Sequence, residues 1–156
     1  MASLRKRSRT RSAANLAQRD RARLASLTFF VDRQLGRFIV PEALRAAGAQ
    51  VEAHDDHFAQ NTSDVEWLTK VGKLGWVVIS KDQNIRRNPL ELAAYEAAKV
   101  RGFFVTAAGA SGPENAALLA RCLPGMVRRS AGRRGPFLFT ISRSGVFTRL
   151  FWPINP

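Results

Sequence analysis

Two apolar runs in this chain stop on aspartates: Leu27-Thr28-Phe29-Phe30-Val31-Asp32 and Trp76-Val77-Val78-Ile79-Ser80-Lys81-Asp82. Aromatic and β-branched residues favour strands, and a continuous apolar run marks a strand covered on both faces. Two parallel strands of this kind carry Asp32 and Asp82 to one sheet edge, the carboxyl edge, where α/β proteins gather ligands. Between them, Thr62-Ser63-Asp64-Val65-Glu66-Trp67-Leu68 opens a helix with Thr62 or Ser63 as its N-cap, and this puts Asp64 and Glu66 within reach of the same edge. Clustered carboxylates repel one another unless a proton or cation intervenes, and magnesium prefers carboxylate and water oxygens. One or two Mg²⁺ ions held there would activate water and neutralise charge on a cleaved phosphodiester. The competing reading makes these acids strand-end turn residues and helix caps.

The charge pattern suits such a substrate. Of the formal net charge of +13, residues 1–24 carry eight cations against one acid, and residues 101–156 repeat that ratio. Residues 25–100 hold ten of the twelve acids against nine cations. Basic ends around an acidic middle attract a polyanion, nucleic acid first. An anionic membrane would call for an amphipathic helix with bulky apolar residues, which the basic ends lack. No apolar run approaches the roughly 20 residues needed to span a bilayer, and no secretory h-region follows the basic start. A lone Cys122 makes no internal disulfide and suits a reducing compartment, so a cytoplasmic location is expected.

The elements that must position the acids follow in order. Residues 1–12 read as a disordered basic arm and residues 13–24 as a short exposed helix, leaving 25–156 as a single domain. Strands are predicted over 27–31, 50–54, 76–80 and 103–106. Helices are predicted from Pro41 to Gly48, from Ser63 to Gly75 with Val65, Leu68 and Val71 or Gly72 inward, and over 90–99. A longer helix over 113–129 should kink or break at Pro124-Gly125. The runs 136–141 and 146–151 flank Ser142-Arg143-Ser144-Gly145, a hairpin signal. The β-α-β-α-β-α-β-α order predicts an α/β three-layer sandwich with a mainly parallel central sheet, plus a C-terminal β-hairpin.

Other constellations carry less chemistry. His54-Asp55-Asp56-His57 lacks zinc-type spacing and reads as a solvated polar loop. Gly109-Ala110-Ser111-Gly112 lacks the Lys-Ser/Thr of a phosphate loop. Cys122, Trp67 and Trp76 read as core. Lys81, Arg86 and Arg87 flank Asp82 and are candidates for gripping phosphates, as is the denser cluster of Arg128, Arg129, Arg133 and Arg134.

Taken together, Phe29-Phe30-Val31-Asp32 with Leu35-Gly36, Leu44-Arg45-Ala46-Ala47-Gly48, Ser63-Asp64-Val65-Glu66-Trp67-Leu68, Gly75 to Asp82, and Asn88-Pro89-Leu90-Glu91 resemble the PIN-like domains of VapC-type toxin ribonucleases. The resemblance covers roughly residues 27–106. It implies a metal-dependent endoribonuclease, the toxin of a toxin–antitoxin pair, with Asp32, Asp64 and Asp82 as catalytic metal ligands for Mg²⁺ or Mn²⁺. Glu66 and Asn84 are further metal candidates, and the second acid stays open among Asp64, Glu66 and Glu42. RNA, a cognate antitoxin and a homodimer are the implied partners, with no membrane. The family's further acid after the third aspartate falls to Asn84, an amide without charge. That departure keeps a second reading in play: an inactive PIN-like protein that binds RNA or the ribosome.

Overall fold

The computed structural model describes residues 2–154; the predicted arm and domain run on to Met1 and to 155–156, which lie outside the described residues. Six strands form one sheet: β1 (Thr28–Val31), β2 (Gln50–Ala53), β3 (Val77–Ser80), β4 (Arg101–Val105), β5 (Phe137–Ile141) and β6 (Phe147–Leu150). Their order is β2-β1-β3-β4-β5-β6, parallel throughout except for the antiparallel β5–β6 pair. The expected hairpin therefore continues the main sheet, because β5 pairs in parallel with β4.

Side chains alternate across β1, and that alternation builds both layers. Phe29 and Val31 face a core shared with α2 (Ile39–Ala46) and α6 (Gly112–Ser130). Phe30 faces the other core, under α4 (Asp64–Leu74) and α5 (Pro89–Ala97). The α/β three-layer expectation describes this architecture.

Four details differ from the sequence reading. The helix α4 buries Trp67, Leu68 and Val71, while Val65 is 39% exposed. Trp67 offers more apolar area than Val65, and its indole finds a polar partner, so it takes the inward place. The helix α6 runs unbroken through Pro124, because Leu119, Cys122, Leu123 and Met126 pack its face on the sheet and hold the backbone where propensity opposes it. The polar loop at residues 54–57 forms a short helix, α3 (His54–His57), whose polar groups find partners: Asp56 pairs with Arg37 at 2.6 Å and His57 Nε2 lies 2.6 Å from a Glu52 carboxylate oxygen. Finally, α1 (Ala2–Ala25) is helical over the stretch where the sequence predicted a disordered arm followed by a short helix. Leu24 anchors its last turn on the core.

Candidate active site

Register brings the strand-end aspartates together. Val31 pairs with Ile79, and the Asp32 N–H donates to the Ile79 carbonyl at 2.9 Å, so Asp32 stands level with Ser80. The Ser80 hydroxyl donates to Asp32 Oδ2 at 2.7 Å and accepts the Asp82 N–H at 3.0 Å. Ser80 is wholly buried, so one hydroxyl ties both aspartates to the edge of the sheet. Asp82 then accepts the Asn84 N–H at 2.9 Å, which turns the chain back over the site.

The third acid comes from a helix start. The Ser63 hydroxyl accepts the Glu66 N–H and caps α4, as the sequence predicted for Thr62 or Ser63. Asp64 begins the helix and accepts the Trp67 indole N–H at 2.7 Å, which fixes its carboxylate against a buried ring. Residues two apart on a helix point about 200° apart, so Asp64 and Glu66 cannot share a face. Asp64 takes the site and Glu66 is exposed, outside the residues that line the cleft. Glu42 is likewise exposed and absent from the lining.

A fourth carboxylate enters from α5. Asn88 accepts the Leu90 and Glu91 N–H groups, and Pro89 occupies the first turn. In a capping box the Glu at this position reaches back to the cap. Here Glu91 lies against Asp64, and its Oε2 is buried without a hydrogen-bond partner. Asp64, Asp82, Asn84, Arg87 and residues 88–91 line a cleft of about 680 Å³, with Asp32 buried behind it. Sequence reasoning quoted Glu91 but gave it no role. The available signal was an acid at the third position of a capped helix that starts just after Asp82.

Proton affinities record the crowding. Burial, opposed by the Ser80 hydrogen bond and reinforced by Asp64, lifts the Asp32 carboxyl to about 6. Burial first, then the charge of Asp64, raises Asp82. Burial, then the charges of Asp64 and Asp82, pushes Glu91 up to about 7. Asp64 thus faces all three other acids. A cation among them would relieve both the repulsion and the stranded Glu91 oxygen. Among the described residues no three His, Cys, Asp or Glu side chains converge tightly enough to form a metal cage by themselves. Magnesium needs no such cage, since it keeps several waters and uses one or two carboxylates plus substrate phosphates. The donor set fits that ion.

Replacing Ser80 with Ala tests the tie. The hydrogen bond lowers the Asp32 pKa, so the substitution should raise it above about 6. Orphaning the Asp82 N–H should cost about 1–3 kcal/mol. Carboxyl NMR titration of Asp32 and thermal melting read the two effects; an unmoved Asp32 would show that the hydroxyl does not set its charge.

The basic candidates divide. Arg87 lines the cleft, Lys81 and Arg86 are half-buried beside it, and the Arg86 Nε is buried without a partner. The Arg128–Arg134 cluster lies elsewhere. The helix α6 returns from the carboxyl edge to the amino edge before the parallel strand β5, so its end stands across the sheet from the acids. Within that cluster Arg129 is committed to packing: its guanidinium sits 3.9 Å from the Phe147 ring centre and donates to the Gly125 carbonyl at 3.0 Å. Arg128, Arg133 and Arg134 remain exposed.

Residues 27–107 match the family model described as "PIN like domain". That span starts before Asp32 and ends beyond Glu91, so it holds all four acids. The chain belongs to the PIN-like domain family. Within this family it stands with the VapC type: it is 36% identical over 134 residues to a Mycobacterium tuberculosis protein named "Putative ribonuclease VapC45", covering 83% of this chain and 96% of that one. No solved structure matches. The PIN-like region contributes β1 to β4 and every carboxylate of the cleft, whereas α1, α6 and the β5–β6 hairpin lie outside the matched span.

Proposed function

We propose that this PIN-like protein is a metal-dependent endoribonuclease and the toxin of a toxin–antitoxin pair. The observation that carries the reading is the meeting of Asp64, Asp82 and Glu91 around one cleft, with Asp32 behind them and a buried Glu91 oxygen left without a partner. The similarity to a protein named as a ribonuclease supplies the substrate class. Mg²⁺ or Mn²⁺ would be held by one or two of the carboxylates Asp64, Asp82 and Glu91 together with waters and the substrate phosphate, with Asp32 behind them contributing charge. When bound, the ion supplies a more acidic water and neutralises charge on the phosphate being cleaved. The chain itself does the rest. Ser80 and Asn84 hold the strand-end aspartates in place, Trp67 orients Asp64, and Arg87 offers a guanidinium to a phosphate at the cleft mouth.

The same reading takes residues 25–156 as one catalytic domain and 1–24 as an appended arm. It places the protein in the cytoplasm, with RNA as substrate, a cognate antitoxin over the cleft and a homodimer as the resting form. Among the described residues no helix is long and apolar enough to cross a membrane. The non-catalytic RNA-binding alternative drew its support from the uncharged Asn84, and Glu91 now supplies a fourth carboxylate. The test is incubation with a broad RNA panel in Mg²⁺, Mn²⁺ or EDTA. Internal cleavage should appear with either metal and vanish with the chelator. Binding without cleavage in every condition would return the protein to the alternative reading.

A further inference from the structure

The appended helix α1 plays no part in building the cleft. Its 24 residues extend about 36 Å. Every side chain from Ser3 to Arg23 is exposed, and the anchoring Leu24 is at the amino edge of the sheet, where β1 begins. Eight Lys or Arg residues stand on this helix against one acid, Asp20, itself 3.5 Å from Arg23. At about 100° per residue the cations fall on all sides, and of the three leucines only Leu16 and Leu24 come near one face, with Leu4 pointing away from both. A helix of this kind can neither lay an apolar face on a membrane nor form a coiled-coil seam.

It is also electrostatically unfavourable alone. Arg5 and Arg9, Arg7 and Arg11, and Arg19 and Arg23 are like-charged pairs four residues apart. The first turn has no acid to complement the helix dipole. A polyanion would offset both penalties. The cationic surface continues onto the body, where Arg21 and Arg128 line one groove between α1 and α6, with Arg133 and Arg134 exposed in the turn that follows.

We propose that α1, with Arg128, Arg133 and Arg134, forms a second RNA-backbone surface at the amino edge, across the sheet from the acidic cleft. It holds phosphates of the substrate outside the cleaved segment, without reading sequence. The choice of RNA as the polyanion rests on the ribonuclease reading above.

The experiment measures binding of a labelled single-stranded RNA in EDTA across a salt series, using the full chain. One variant carries Arg5→Gln, Lys6→Gln, Arg7→Gln, Arg9→Gln and Arg11→Gln together; a companion carries Arg→Lys at the four arginines. Removing five cations should weaken binding at least tenfold at low salt and flatten the slope of log affinity against log salt by about 3. The lysine companion should bind like the wild type. Equal binding and equal slope for the glutamine variant would overturn the proposal. So would preference of the wild type for anionic vesicles over RNA. Cleavage in Mg²⁺ is scored separately: a wild type that binds through the arm but never cuts defeats the endoribonuclease reading and leaves this surface standing.

Discussion

Asp82→Asn should lower RNA cleavage by about 10²- to 10³-fold while leaving the fold intact. Asp82 follows the end of β3 by two residues, lines the cleft and faces Asp64, so its charge belongs where a cation and a phosphate must meet. An amide keeps the size of the side chain and an oxygen to accept the Asn84 N–H, which the aspartate now accepts at 2.9 Å. Burial already disfavours the charged form of Asp82, so a neutral side chain removes a cost to folding. The variant should therefore melt at the same temperature as the wild type or slightly above. Loss of activity with retained stability separates loss of charge from loss of structure. Equal cleavage by the two proteins would place the chemistry at some other site.

Glu91→Gln should reduce cleavage by about 10²-fold and also change how the cation binds. Glu91 is pushed up to about 7 by burial and by the charges of Asp64 and Asp82. A folded pKa above the unfolded value means that the folded, metal-free protein prefers the proton. The stability linked to that proton is complete at low pH and is lost as pH rises through about 7. Asp32, lifted from 3.8 to about 6, follows the same sign over the window from about 4 to about 6, for a loss on the order of 2–3 kcal/mol. A divalent cation competes for these oxygens only when the protons leave. Added Mg²⁺ should thus raise the melting temperature far more at pH 8 than at pH 5.5. In Glu91→Gln that difference should shrink, and the acid limb of the cleavage profile should move to lower pH. Magnesium stabilisation that is equal at both pH values would show that no titrating carboxylate holds the ion.

The apolar runs ending on Asp32 and Asp82 were legible because burial on both faces leaves a composition signature and the following polar residue marks the edge. Asp64 was legible as a helix start, through Ser63. Its choice over Glu66 was not, because that depends on the rotation of α4, which Trp67 sets by going inward in place of Val65. Glu91 was hidden for a different reason. Its place in the cleft comes from the crossing of α5 over the sheet, and capping statistics alone would turn it back to Asn88.

The sequence by itself determined the α/β order, the strand that ends at each aspartate, the excess of positive charge and the resemblance to PIN-like toxins. These features rest on local patterning and composition, which a single chain displays directly. Tertiary structure alone decided that Ser80 bridges Asp32 and Asp82, that Glu91 supplies the fourth carboxylate, and that the Arg128–Arg134 cluster faces away from the site. Each of those depends on strand register, helix rotation or the direction of a crossover, set by residues distant in the chain packing into one core.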